Sequence, residues 1–255
     1  FILLINIFGC SLRLNQWIYT LFIGVVMFGF VVQKVSGASP APTSSPSAGK
    51  LQSEWNPFDL YGRQLEFEIW RQGKQVGSHN IRFKKLERGW VVNSQIQMSV
   101  KVFRVFTYEF LHETTSHWQN GRLFHLRATT NDNGGRTRVE IHRRGEELEI
   151  QSPGGTYRTE LDTFPSIHWN PEVLDQQRLI NTITGELNEI KIESVAPEMV
   201  KTASGSIEAW PYRYSGDLEA QTWYDSHGRW VKITFLGGDG SELYYVCRRC
   251  GVPAQ

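Results

Sequence analysis

Few residues in this 255-residue chain are of a type and spacing suited to chemistry: the pair Cys247 and Cys250, the run His112, Glu113 and His117, and His168 beside Trp169. Outside the cytoplasm, a Cys-x-x-Cys pair forms a local disulfide or a redox couple. Residues i and i+3 of an extended strand point to opposite faces, so closure requires a bend after Cys247. A four-coordinate metal needs two further ligands, and no second Cys-x-x-Cys or spaced His pair lies adjacent in the sequence. The residue after Cys250 is Gly251, not His, which removes c-type haem attachment, and no βαβ pattern surrounds the pair to support thioredoxin-like catalysis. A structural disulfide is the leading reading; zinc with a remote His and free thiols are the alternatives.

On one strand, His112 and His117 differ by an odd number, face opposite sides and cannot share a metal. Glu113 and His117 share a side but stand about 13 Å apart along it, too far to pair. Both point to sheet-surface roles. His168 and Trp169 precede a helical signal, where they would line an opening between helix and sheet; a His there can serve as acid, base or ligand, though capping a loop or packing against Trp169 is the commoner role. Asp217, Asp225 and Asp239 flank glycine-containing turns. Paired carboxylates about 5–10 Å apart do glycosidic chemistry, but Asp beside Gly is ordinary turn chemistry. No nucleophile elbow, phosphate loop or His-Glu-x-x-His is present. No catalytic residue, metal or cofactor is assigned.

The elements that position these residues are strands. Period-two alternation runs through Leu65–Ile69, His79–Phe83, Val92–Val102, Phe106–Trp118, Phe124–Ala128, Val139–Ile141 and Leu148–Ile150. It resumes in Leu187–Ser194, Ile207–Tyr214 and the three C-terminal segments from Asp217 to Cys250, with Asn120-Gly121 among the hairpin signals. One apolar and one polar row per strand marks an antiparallel sheet covered on one side. Asn170 as cap, Pro171 at the first turn and an apolar stripe of Val173, Leu174, Ile180 and Ile183 predict a helix over Pro171–Thr182, stopped by Gly185. The expected fold is all-β: a strongly curved antiparallel meander, half-barrel or barrel, of roughly ten strands with one short helix.

A formal net charge of +1 gives no global field for nucleic acid or anionic membranes. Residues 1–38 read as a signal peptide or, if uncleaved, a membrane anchor: Trp17–Val32 is an apolar run, short for a span that needs about 20 residues, preceded by Arg13 and followed by Ser36-Gly37-Ala38. Cys10 precedes that run and is not placed for lipidation. Residues 39–53 are a Pro/Ser/Ala tether, 54–250 a single β-sheet domain and 251–255 a tail. The compartment expected is periplasmic or secreted, with inner-membrane contact through an uncleaved N-terminus. Arg82, Lys84, Lys101, Arg127, Arg136 and Arg138 fall on outward rows as a basic patch that Glu66, Glu68 and Glu140 largely neutralise.

Ser166-Ile-His-Trp169, Leu179–Gly185, Thr222–Asp225 with Gly228–Val231, and Asp239-Gly-Ser241 with Cys247–Cys250 carry a resemblance to an uncharacterised family of exported bacterial β-sheet domains. It implies a fold class and a location but no reaction. In architecture alone, the pattern also resembles the half-barrel carriers of lipid or lipoprotein chains in the bacterial envelope. The expected concave wall is Phe67, Ile69, Ile96, Met98, Phe106, Tyr108, Phe110, Phe124, Leu126, Tyr212 and Tyr214. Phe106, Tyr108, Phe110, His168, Trp169, Tyr212 and Tyr214 are the candidate ligand-lining residues. The expected function is a non-catalytic binding or scaffolding domain, partnered by a lipid-like apolar ligand or an envelope protein. An envelope hydrolase or metal/redox protein using His168, Asp225 or the cysteine pair is the alternative.

Overall fold

The computed structural model describes residues 56–102 and 106–251. The expected signal peptide or anchor, the tether and, apart from Gly251, the tail lie outside the described residues. Helix α1 (Pro57–Tyr61) starts at Asn56, whose Oδ1 accepts from the Phe58 N–H at 3.1 Å, with Pro57 in the first turn where its missing N–H costs nothing. Eight strands follow as a meander: β1 (Gln64–Arg71), β2 (Lys74–Lys85), β3 (Trp90–Val102), β4 (Phe106–Gln119), β5 (Arg122–Asp132), β6 (Gly135–Arg144), β7 (Glu147–Ser152) and β8 (Gly155–Glu160). The second half holds β9 (Phe164–Pro165), β10 (Arg178–Ile180), β11 (Leu187–Ser194), β12 (Glu198–Thr202), β13 (Gly205–Gly216), β14 (Ala220–Asp225), β15 (Trp230–Leu236) and β16 (Glu242–Arg249).

These strands make one sheet, ordered β8 down to β1 and then β16, β15, β14, β13, β11, β10 and β9. The first half turns outward from β1 and the second returns to pair β16 with β1, so the two ends of the domain are joined at the middle of the sheet. Pairing is antiparallel except between β9 and β10. The sheet is not closed, because β8 and β9 end it. Strand β13 pairs β12 with its first half and β11 with its second.

The sixteen strands among the described residues exceed the roughly ten expected, chiefly because β8, β9, β10 and β12 are short and lack an apolar alternating row. The helix expected over Pro171–Thr182 is instead a 3₁₀ turn at Pro171–Asp175, with the cap at Asn170 as predicted. Gln176 is already extended, and Leu179 and Ile180 pair with Asn188 and Leu187 on one side and Phe164 and Pro165 on the other. Sheet hydrogen bonds on both sides outweigh the weak helical stripe.

The inward rows form the core, with Leu65, Phe67, Ile69, Ile81, Leu126, Ile141 and Ile150 almost fully buried. Two residues expected among them point elsewhere. Phe106 is 71% exposed at the far end of the β3–β4 hairpin, beyond Val100 and Tyr108. Phe124 is 45% exposed because the register shifts there: Trp118 faces Leu123 while His117 faces His125. That extra residue passes the inward role to Leu123. Strand β14 also departs from simple alternation. Thr222 to Asp225 are all buried, Trp223 packing with Val200, Ala209 and Val231 in a small second core behind the sheet.

Cys247 and Cys250 form a disulfide with 5.9 Å between their Cα atoms. The required bend has a visible source: Cys247 pairs with Phe67 and Arg249 with Glu66, which leaves Arg248 as a bulge. The Cys247 carbonyl accepts from the Ala203 N–H at 2.8 Å, so the β12–β13 turn rests on the bridged strand. Closing so short a loop restricts the unfolded chain modestly. Replacing both cysteines by Ser should lower unfolding free energy by about 2 kcal/mol. Denaturant melts under oxidising conditions will show this, and an unchanged midpoint would remove the disulfide from the stabilising interactions.

Candidate functional site

The concave side of the sheet is occupied by the chain itself. Between β8 and β11, Leu161, Thr163, Trp169, Asn170, Val173, Leu179, Ile180, Asn181 and Thr182 are all buried. Trp169 meets Trp118 and Phe83 edge-on at 5.2 and 5.6 Å between ring centres. The turn that ends this inner segment is fastened by Asn181 Oδ1, which accepts from the Ile183 and Thr184 N–H groups, by Thr137 Oγ1 donating to the Ile183 carbonyl, and by the Tyr157 hydroxyl donating to the Gly185 carbonyl. Gly185 is required there: its φ is +77°, and a Cβ would sit 2.3 Å from that of Ser152.

What remains between the inner segment and the sheet is a cavity of about 40 Å³. Its lining combines His79 from β2, Ser94 and Ile96 from β3, His112 and Thr114 from β4, Ser166 and His168 from the inner segment, and Trp230 and Tyr245 from β15 and β16. The register explains the grouping, because Ile96 of β3 pairs with His79 on one side and His112 on the other. His79 Nε2 lies 2.7 Å from Ser94 Oγ. His112 is held through both nitrogens, by Thr130 Oγ1 at 2.9 Å and Thr182 Oγ1 at 3.2 Å, and Thr182 in turn meets Ser166. The Thr182–His112 contact ties the inner segment to the sheet by a polar bond inside an apolar shell, while Ser166–Thr182 joins two parts of that segment. The Nδ1 atoms of His79 and His168 are buried with no hydrogen-bond partner among the described residues.

All three imidazoles are kept neutral. Burial pushes His79 down to about 3, with repulsion by His112 and His168 adding to it. Burial alone pushes His112 and His168 to about 4. His168 keeps some exposed surface as a residue, but its Nδ1 is sealed from solvent. Neutral rings with shielded nitrogens can accept and donate hydrogen bonds. Among the described residues no carboxylate lines the cavity to make a catalytic pair with them.

The candidate ligand-lining residues fall into separate places. His168 and Trp169 lie at the cavity, and the His168 ring sits 5.7 Å from that of Tyr214. Phe110 stacks on His112 at 6.4 Å. Tyr108 is turned toward one end, its hydroxyl donating to Asp132 at 2.5 Å, and Tyr212 packs against Tyr224. Phe106 is outside. Asp225, named for the hydrolase alternative, is committed to its turn: it accepts from the His227 and Arg229 N–H groups and from the Arg229 guanidinium. Asp239 and Asp217 are likewise bound to Ser241 and to the Glu189 N–H. In the outward basic patch, Arg127 and Arg138 both bond Glu140. Three cavity residues, His79, Ser94 and Thr182, were not singled out by sequence. For two of them the signal was a polar residue in a row otherwise apolar, His79 with Ile81 and Phe83, and Ser94 with Val92 and Ile96; His112, expected at the sheet surface, is instead buried because its row faces the core.

The family described as a domain of unknown function, DUF6134, matches residues 67–248. No curated protein matches the chain. Among solved structures, the crystal structure of a beta-barrel-like protein of domain of unknown function DUF1849 from Brucella abortus is similar, with a TM-score of 0.56 and 11% identity over 76% of this chain and 99% of that one. At that identity the likeness shows the fold alone.

The buried imidazoles set a pH dependence. In the unfolded chain each titrates near 6.5; in the fold they titrate at about 3 to 4. Between those values the unfolded chain binds more protons. Their contribution is therefore complete above about pH 6.5 and is lost as pH falls toward 4, with a slope of about 3–4 kcal/mol per pH unit if all three participate. Urea melts between pH 7 and 4.5 will measure it. A flat stability across that window would mean the rings are protonated in the fold.

Proposed function

We propose that this chain, which belongs to the DUF6134 family of domains of unknown function, is a non-catalytic scaffolding domain of the bacterial envelope that acts through its outer surface and edges rather than through its interior. The observation that carries the reading is the filled concavity. Sites for small molecules usually offer about 300–1,000 Å³, whereas the cavity between the inner segment and the sheet is about 40 Å³, room for roughly one to three waters. The groups that a hydrolase or redox enzyme would use are committed elsewhere: Asp225 to Arg229, Cys247 to Cys250 and His168 to the interior. A half-barrel with a covered core is a rigid support, and its apolar lining then serves stability alone.

An acyl chain on the concave face would need the inner segment to withdraw, breaking the Thr182–His112 contact and exposing Trp169 and Ile180. Native mass spectrometry of protein extracted from its own membrane fraction separates the two forms of the reading. The expected mass is that of the polypeptide alone, and at pH 7 an anilinonaphthalene dye should gain no fluorescence. A stoichiometric lipid, or strong dye binding, would replace the filled-core scaffold by a carrier.

A further inference from the structure

A second group of histidines lies on the opposite face of the sheet. The register sets His117 of β4 opposite His125 of β5, and His125 opposite His142 of β6. The same row continues to Glu149 of β7. Their chain neighbours Ser116, Leu126 and Ile141 are buried, so these three rings point away from the core, and each is partly exposed. Ring centres are 5.8 Å apart for His117 and His125, and 4.6 Å for His125 and His142.

That second spacing suits a metal ion. An imidazole nitrogen sits about 2.0–2.1 Å from zinc, which places the centres of two rings on one tetrahedral ion about 5 Å apart. His125 and His142 could reach that arrangement by turning their rings, with no movement of the backbone. His142 has a built orienter: its Nε2 is 3.5 Å from Glu140 Oε2, and Glu140 is itself held by Arg127 and Arg138. Outer-sphere carboxylates of this kind fix the ring and raise its basicity as a ligand. Among the described residues no three His, Cys, Asp or Glu side chains already surround one point. The protein therefore supplies two ligands, and water completes the shell.

We propose that His125 and His142 form a surface site for a divalent first-row transition ion that favours imidazole, zinc or copper, with Glu140 as the residue that positions His142. Copper should bind more tightly than zinc, as the usual affinity order requires. The test is calorimetric titration of the purified, disulfide-intact chain with zinc chloride and with copper chloride. One ion per chain is expected, with affinity falling at least tenfold in H125Q and in H142Q. H117Q, on the far side of His125, should change it less than threefold. In the unaltered chain, imidazole nitrogen NMR should show zinc moving the His125 and His142 signals while those of buried His79, His112 and His168 stay in place. The site is overturned by no uptake at millimolar ion, by unchanged affinity in H125Q/H142Q, or by zinc shifts that miss both rings.

Discussion

The structure depends on one constraint: an open, curved sheet with a wide apolar concave face must cover that face. The chain does so with its own residues 161–183. The contact centres on Trp230, which is 1% exposed and lies 4.3 Å from Phe67, 5.3 Å from His168, 5.6 Å from His79 and 5.9 Å from Tyr245 between ring centres. These rings come from β1, β2, β15, β16 and the inner segment, so one cluster joins both halves of the sheet to its cover. Tyr61 adds α1 to it, stacking on Phe83 and accepting from the Trp230 N–H at 2.9 Å. Aromatic pairs at such spacings add to the free energy of area burial alone.

Polar residues inside that cover shape what the interior can do. A buried hydroxyl or imidazole is costly unless hydrogen-bonded or hydrated; Thr130 and Thr182 meet that need for His112, and Thr182 also locates the inner segment on the sheet. The two histidine groups thus differ in kind. The inner rings are neutral, enclosed and structural; the outer rings are accessible and free of the core. The same residue type acquires opposite character from the face of the strand on which it falls.

Much of this was legible before any coordinates. Alternation in Leu65–Ile69, His79–Phe83 and Val92–Val100 places those rows as observed, because a half-covered sheet imposes period two directly on the sequence. The opposite facing of His112 and His117 follows from parity alone. The site was less legible. His79 and His112 are 33 positions apart in sequence and meet only because both pair with Ile96. A polar residue in an apolar row marks an anomaly, but register decides which anomalies become neighbours. Phe124 failed for a related reason: one bulged residue inverts the facing of what lies beyond it, so Leu123 turns inward while Leu126 and Ala128 keep the expected phase.

Sequence by itself determined the antiparallel class, the facing of most strands, the cap at Asn170 and the possibility of a bridge between Cys247 and Cys250, since each depends on spacing over a few residues. Tertiary structure decided the rest. It joined β1 to β16, turned the expected helix after Pro171 into a short turn and an inner strand, supplied the bulge at Arg248 that lets the disulfide close, and filled the concavity. Each of these depends on partners from distant parts of the chain, whose hydrogen bonds and burial outweigh local preference and leave no periodic trace in the residues that receive them.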